Sequence, residues 1–382
     1  ADHSEVTGFS LTGAMDEQAI SWGLFRRVPV EKQRQAPVLL IAAIWFFVSL
    51  GVLSMPAVAQ DVRARFAPEG ASGTSAKTQV IAPNFMVSAA NPHAVDAGVA
   101  ILKAGGSAVD AAIATQLVLN LVEPQSSGIG GGAFIVLFEA AENKVRTYDG
   151  RETAPAAAQP DRFLRDGRRM SFRTVVNSGL SVGVPGLVRV MELAHQRHGL
   201  LPWARLFEPA IRLSSEGFKV SPRLNLLLNW YGAKRFVPKA RAYFFDPSGQ
   251  PRPVGYLLKN VEFADTLKRI AEGGSAAFYE DGPIARSIIA ALQSAPNAKG
   301  DMTLQDIADY RALEREPVCF KYRVRRICGM GPPSSGGITV AQTLKLLEGY
   351  DLSKQAIGVM SPKALHLIAE AQKLAYADRN RY

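Results

Sequence analysis

Apolar and polar residues alternate along this chain in several distinct ways, and each way predicts an element. The longest apolar run is Ala36 to Val52, which contains Val38-Leu39-Leu40-Ile41 and Trp45-Phe46-Phe47-Val48. Arg26, Arg27, Lys32 and Arg34 precede it, and Pro56-Ala57-Val58-Ala59-Gln60 follows it. A basic stretch, an apolar stretch and an Ala-x-Ala site together make a secretory signal, which predicts a cut between Ala59 and Gln60. The run is also close to the minimum length that spans a bilayer, so an uncleaved membrane anchor over 36–52 is the rival reading. Met15 would give the signal a tidier start than Ala1. The segment 60–78 is rich in Ala, Gly, Ser and charge without a period, and reads as a linker. The organisation expected is therefore a 1–59 extension with the signal, a 60–78 linker and a folded region over 79–382.

Within that region, Phe85 to Ala89 reads as a short strand. Asn91-Pro92 looks like an N-cap followed by proline in the first turn. The helix it opens carries Val95, Val99 and Leu102 on one face and stops at Gly105-Gly106. Ser107 opens a second helix, Ala108 to Leu121, with Asp110 three residues on as a short capping box. This second helix is almost entirely apolar, so both of its faces should be buried. The glycine-rich stretch Gly128-Ile129-Gly130-Gly131-Gly132 then feeds a strand over Ala133 to Glu139. A turn at Glu142-Asn143 leads back along Lys144 to Asp149 as a hairpin. Amphipathic helices follow between Val184 and Gly217. Asp301 to Leu304 caps another short helix, and Glu316 to Met330 reads as two strands. Pro332 to Gly337 is a tight loop before a helix from Ile338 to Glu348. Pro362 to about Arg379 is the last helix. Hairpin-paired strands mixed with helices argue for an α+β or layered fold and against a regular βαβ sheet.

Composition narrows the function. There are 44 Lys and Arg against 34 Asp and Glu, a net charge of +10. The excess is diffuse, with no basic run and no aromatic-interleaved stripe, so nucleic acid is not an expected partner. Arg323, Arg325 and Arg326 alternate with apolar residues, as on a strand with one wet face. Cys319 and Cys328 are the only cysteines. They are too few for a zinc site. They either bridge a hairpin as one disulfide or stay as free thiols. His195 and His198 sit on a polar helix without a third ligand at helical spacing and read as surface residues. Ser334 and Ser335 read as turn residues, because no base stands near them. The glycine cluster leads into a strand where a phosphate loop would lead into a helix, so nucleotide binding is not expected. Arg151 ends the hairpin in Tyr148-Asp149-Gly150-Arg151-Glu152-Thr153-Ala154-Pro155. A planar fork of donors on a fixed base suits a bidentate grip on a carboxylate. A structural pair with Asp149 or Glu152 is the alternative.

Taken together and in this order, six motifs resemble the γ-glutamyltransferase family. They are Asn91-Pro92-His93 with Gly105-Gly106-Ser107-Ala108-Val109-Asp110; Glu123-Pro124 with Gly128 to Gly132; Arg151-Glu152-Thr153-Ala154-Pro155; Gly183-Val184-Pro185-Gly186; Pro332 to Gly337; and Ala375-Tyr376-Ala377-Asp378-Arg379. The resemblance implies an N-terminal-nucleophile hydrolase with an αββα sandwich, made as one chain that cuts itself into a large and a small subunit. It implies γ-glutamyl transfer or hydrolysis on glutathione and other γ-glutamyl amides through an acyl-enzyme, with water, an amino acid or a peptide as acceptor. It implies no metal and no organic cofactor. On this chain it matches one site residue: Arg151 corresponds to the arginine that holds the substrate α-carboxylate. It also makes the glycine loop a packing feature near the core. The nucleophilic threonine and the small subunit lie beyond Tyr382 in the family pattern; Thr339 and Thr343 fall inside a helix and cannot replace that threonine. The expectation is a large-subunit portion that is inactive alone and leaves strand edges and apolar faces exposed. A cephalosporin-acylase-like amidase and a secreted, non-catalytic binding protein are the alternatives.

Overall fold

The computed structural model describes residues 78–352 and 361–381, all within a compact unit that runs from Ala64 to Tyr382. The export signal, the cleavage site after Ala59, the 1–59 extension and nearly all of the 60–78 linker lie outside the described residues, as does Tyr382. Among the described residues no helix is long and apolar enough to cross a membrane.

The unit opens on a pair of helices, α1 (Pro92–Lys103) and α2 (Ala108–Val122). The side chain of Asn91 accepts from the His93 N–H at 3.1 Å and donates to Glu123 Oε1 at 3.1 Å, so the cap of α1 is tied to the end of α2. Ser107 and Asp110 form the expected capping box. Both faces of α2 are covered, and Leu117 and Val118 are fully buried. The buried face of α1 differs from the expected one. Ala94, Ala97, Gly98 and Ile101 are buried, while Val95, Val99 and Leu102 are half-buried. The reason is close approach: a Cβ on Gly98 would collide with Thr115 Oγ1 of α2, so the small-residue face turns inward. Phe85 to Ala89 joins no strand ladder.

The main sheet has three antiparallel strands in the order β1 (Ala133–Glu139), β2 (Lys144–Gly150) and β7 (Leu313–Arg315). Before β7 come the small hairpin β3 (Leu164–Arg165) and β4 (Arg168–Arg169), the one-turn helix α3 (Phe172–Val176) and α4 (Leu187–His198). Next are α5 (Glu208–Glu216), β5 (Phe218–Lys219), α6 (Pro222–Tyr231), α7 (Pro238–Phe244) and β6 (Leu257–Leu258). The helices α8 (Val261–Gly273), α9 (Ala276–Tyr279), α10 (Pro283–Gln293) and α11 (Leu304–Asp309) lead back to the sheet. Hairpin β8 (Val318–Tyr322) and β9 (Arg325–Gly329) then carries helices α12 (Gly336–Leu347) and α13 (Pro362–Arg381). Cys319 and Cys328 face each other across β8 and β9 and are joined as a disulfide, which resolves the open choice from sequence. Arg325 and Arg326 lie on β9, whereas Arg323 forms the turn at φ 53°.

Alternation sorts the sheet into two faces. Ile135, Leu137 and the fully buried Tyr148 face the helical core. Val136 and Phe138 point the other way and are more than half exposed, at 51% and 59%. The helical layer thus covers one face only.

His195 and His198 correct the sequence reading. Neither is a free surface residue. His198 Nε2 lies 2.5 Å from the Tyr148 hydroxyl and Nδ1 lies 3.0 Å from Glu139 Oε1, because the last turn of α4 packs on the sheet. His195 Nε2 lies 2.9 Å from the Leu201 carbonyl oxygen and 3.6 Å from Asp110 Oδ1. Both fill polar gaps in the core wall.

Candidate functional site

Arg151 stands one residue past β2, where the chain leaves the sheet. Its backbone is held at both its N–H and its carbonyl. The N–H donates to Asp149 Oδ1 at 2.8 Å, and the Tyr310 hydroxyl donates to its carbonyl at 2.8 Å. The buried carboxylate of Asp149 is in turn paired with Arg315 Nε at 2.6 Å, across the β2–β7 ladder. Just downstream, Val184 N–H donates to the Thr153 carbonyl at 2.8 Å. Burial raises the Tyr310 phenol above its ordinary value, and the nearby Asp149 and Glu152 carboxylates push the same way. The phenol therefore stays a hydrogen-bond donor throughout the physiological range.

Close backbone packing fixes the floor of this corner. The Gly131 carbonyl accepts from both Gly186 N–H at 2.9 Å and Leu187 N–H at 3.0 Å, at the start of α4. A Cβ on Gly132 or on Gly186 would press on the Gly150 carbonyl at well under 3.0 Å. The last glycine of the Gly128 to Gly132 loop, Gly132, is thus a packing residue. Gly130 is different: an added Cβ there meets nothing within 4 Å, and the residue lines a cleft.

That cleft has a volume of about 500 Å³ and is bounded by Gly130, Arg151 to Pro155, Arg162, Phe163 and Leu180 to Gly183. Two arginines face it in different states. Arg162 is locked: its two terminal nitrogens meet the Asp301 carboxylate at 2.7 and 2.6 Å, and its Nε meets the Leu180 carbonyl at 2.8 Å. These hydrogen bonds hold the Asp301 carboxyl below its usual range. Arg151 is 60% exposed, and its side chain touches Glu152 through Nε at 3.2 Å. Its terminal nitrogens donate no hydrogen bond among the described residues, so they are the donors left for an anion. Of the two structural pairs weighed from sequence, Glu152 takes the side chain and Asp149 takes the backbone.

A second, polar cavity of about 460 Å³ lies beyond Glu152, lined by Gln116, Glu123, Ser127, Gly131 and Arg223 among others. A third cavity of about 540 Å³ is mainly apolar, with Leu224, Leu227, Leu228 and Phe236 in its wall. The sequence reading did not find either. Nor did it single out Tyr310, which is 159 positions from the carbonyl it holds and has no local signal.

The remaining candidates fall elsewhere. Ser334 Oγ accepts from Gly336 N–H at 3.2 Å, and Ser335 Oγ accepts from Arg379 Nε at 2.9 Å, which suits their reading as turn residues. Thr339 and Thr343 lie inside α12 and donate back to the carbonyls of Ser335 and Thr339, both at 2.8 Å. Among the described residues no group of three His, Cys, Asp or Glu could hold a metal ion.

The family model described as gamma-glutamyltranspeptidase matches residues 94–382. A glutathione hydrolase proenzyme of Escherichia coli (strain K12) is 38% identical over 306 residues, covering 79% of this chain and 51% of that protein. A glutathione hydrolase proenzyme of Bacillus subtilis (strain 168) is 37% identical, covering 78% of this chain and 50% of that one. The chain thus spans about half the length of these curated relatives. Among solved structures, Helicobacter pylori gamma-glutamyltranspeptidase superposes with a TM-score of 0.75 at 32% identity, over 80% of this chain and 86% of that chain. A cephalosporin acylase from Bacillus halodurans superposes with a TM-score of 0.69 at 30% identity, over 81% of this chain and 57% of that chain.

Proposed function

The chain belongs to the γ-glutamyltranspeptidase family, and from that premise we propose that it forms the substrate-gripping portion of an enzyme that cleaves and transfers γ-glutamyl groups. The substrate class is glutathione and other γ-glutamyl amides. Arg151 is the residue that carries the reading. It is an exposed guanidinium on a fully anchored backbone, beside a cleft whose other arginine is already neutralised. Its fork fits the α-carboxylate of a γ-glutamyl unit, and a planar bidentate contact fixes the orientation of what it holds.

The chemistry follows from that orientation. A threonine hydroxyl outside residues 1–382 adds to the γ-carbonyl carbon. The threonine's own α-amine takes the hydroxyl proton and hands it to the leaving amine as the C–N bond breaks. Water, an amino acid or a peptide then attacks the γ-glutamyl ester and releases the threonine. Arg151 fixes the distance between the α-carboxylate and the reacting carbonyl, which is the positional part of catalysis. In this reading the chain depends on a small subunit for the nucleophile and is inactive alone. Export with cleavage after Ala59 belongs to the same proposal, and the Cys319–Cys328 disulfide supports it, since such bonds persist in oxidising compartments.

The similarity to a cephalosporin acylase gives a second reading, an amidase that takes a cephalosporin side chain. Arg151 separates the two, because it rewards an α-carboxylate on the acyl group. In the natural full-length protein, Arg151→Lys should raise KM for a γ-glutamyl anilide about tenfold to a hundredfold, the worth of a charged bidentate contact at roughly 1.5–3 kcal/mol. An unchanged KM would remove Arg151 from the site and return the cephalosporin reading to the front.

A further inference from the structure

We propose that the cavity between the end of α2, helix α7 and the start of α8 is a binding site for a monocarboxylate with an apolar body, such as an arylalkanoate. The site shares no residue with the Arg151 cleft, so it stands or falls apart from the γ-glutamyl reading.

The cavity measures about 640 Å³, a size that takes one small molecule. Leu121, Pro124, Phe244 and Phe263 give it an apolar wall. The fold leaves two buried donors over in that wall. Asn120 is 7% exposed and borders the cavity. Gln116 Nε2 at 2.8 Å and the Ser127 hydroxyl at 2.5 Å both donate to its Oδ1, which fixes the orientation of the amide. Gln116 and Ser127 line the polar cavity beyond Glu152, so Nδ2 is the end turned the other way, and it has no partner among the described residues. The Tyr243 hydroxyl is likewise buried without a hydrogen bond. The Asn260 side chain stands beside it, but Asn260 Oδ1 is taken by the Phe263 N–H at 3.0 Å as the cap of α8. Burial raises the Tyr243 phenol well above its ordinary value, so it stays a donor. A buried donor without an acceptor is costly, and two that border one cavity point to something that accepts from both.

The rest of the wall sets the charge of that acceptor. Helix α8 begins at the cavity. Val261 and Glu262, whose N–H groups precede its first intrahelical bonds, both line it, and a helix N-terminus favours negative charge. Among the described residues Glu262 is the one carboxylate in the wall, and Lys239 neutralises it. Lys259 lines the cavity too and forms no ion pair among the described residues. The polar part of the site is therefore all donors and net positive. A carboxylate accepts from Asn120 Nδ2 and the Tyr243 O–H, while Lys259 and the α8 terminus offset its charge. Its apolar body then lies against Leu121, Phe244 and Phe263. Water could accept the same two hydrogens, but it would neither balance Lys259 nor cover the apolar wall.

The test is calorimetric titration of the natural full-length protein with hydrocinnamate, and with the neutral hydrocinnamide as control. Expected are one saturable site and binding at least about tenfold weaker for the amide. Tyr243→Phe should weaken hydrocinnamate about tenfold or more, the loss of one hydrogen bond to a charged group. Lys259→Gln should weaken it about twofold to fivefold. Because the Tyr243 hydroxyl has no partner in the empty protein, Tyr243→Phe should melt no lower than the parent. Arg151→Lys should bind the probe as the parent does. No saturable site at millimolar hydrocinnamate would overturn the proposal and leave the two donors to water. Equal binding of acid and amide, or of parent and Tyr243→Phe, would overturn it in favour of a plain apolar cavity. Binding lost in Arg151→Lys would overturn it by placing the probe in the other cleft. A Tm several degrees below the parent's in Tyr243→Phe would make the hydroxyl structural and sink the argument.

Discussion

Gly186→Ala is the sharpest probe of how Arg151 is held. Gly186 has φ −122° and ψ −14°, a conformation open to any residue, so the backbone itself raises no objection to alanine. The objection is spatial. The new methyl would lie well under 3.0 Å from both the Gly150 carbonyl oxygen and the Tyr310 hydroxyl. Relief requires a movement of about 1 Å by the end of β2 or by the Tyr310 ring. Overpacking of this kind costs about 1–3 kcal/mol, and two simultaneous clashes against backbone and a buried ring argue for the upper end. The reduced freedom of the unfolded chain returns roughly 0.4–1 kcal/mol. The net expectation is a loss of about 2 kcal/mol, near 5 °C in Tm for a domain of this order. The Tyr310 hydroxyl is also what holds the Arg151 carbonyl, so the same movement should misplace the guanidinium. A misplacement near 1 Å is worth up to about a hundredfold in kcat/KM. The assay is thermal unfolding followed by circular dichroism, with kinetics on a γ-glutamyl anilide in the full-length protein. Gly128→Ala is the stability control, because a Cβ there meets nothing within 4 Å. If Gly186→Ala melts within a degree of the parent and keeps its KM, the packing argument is wrong.

Two further outcomes follow from buried or bridging carboxylates. Asp301 is held below its ordinary value of 3.8 chiefly by hydrogen bonds from Arg162, so its contribution is present above that pH and is lost as pH falls through the depressed value. Asp301→Asn should therefore cost about 1 kcal/mol at pH 7, the upper end for a partly exposed pair, with the gap to the parent closing as pH falls below the ordinary carboxylate value of 3.8 in urea titrations; a gap that stays constant with pH would refute the linkage. Asp110 is fully buried, and its Oδ2 accepts from Ser107, Leu200 and Leu201 N–H groups at 2.9, 2.9 and 3.1 Å. Asp110→Ala should cost about 3–5 kcal/mol, a lost cap plus two stranded N–H groups, and a urea midpoint shift equivalent to less than 1 kcal/mol would show that water replaces the carboxylate.

Local signals in the sequence carried much of this architecture. The α2 capping box, the β1–β2 hairpin and the proline- and glycine-bounded ends of α12 and α13 were legible because each depends on a few adjacent residues. The inward face of α1 was not, because it is chosen by the closeness of α2 and not by the helix's own largest residues. Phe85 to Ala89 has strand composition, but composition cannot supply a ladder partner. His195 and His198 looked like surface residues because α4 is polar overall; the partners that bury them, Tyr148, Glu139, Leu201 and Asp110, come from other elements. The same limit applies to the site. Arg151 was visible as an arginine at a strand end, whereas Tyr310, Asp301 and the cavities exist only once distant segments meet. The carboxylate grip proposed for it was read from the family motif, and the geometry adds that Arg162 is already bound by Asp301.

The bare outer face of β1 has a consequence for handling the protein. Ala133 to Phe138 reads Ala-Phe-Ile-Val-Leu-Phe, six residues without charge, proline or glycine, with Val136 and Phe138 open to solvent. Such a segment can stack in register with copies of itself, every backbone group pairing with the chain above and below. Uncovered, this strand is a seed for aggregation. Recovery of folded material should thus depend on how soon that face is covered after synthesis, and crowded, slow refolding will favour fibrous material over the native fold.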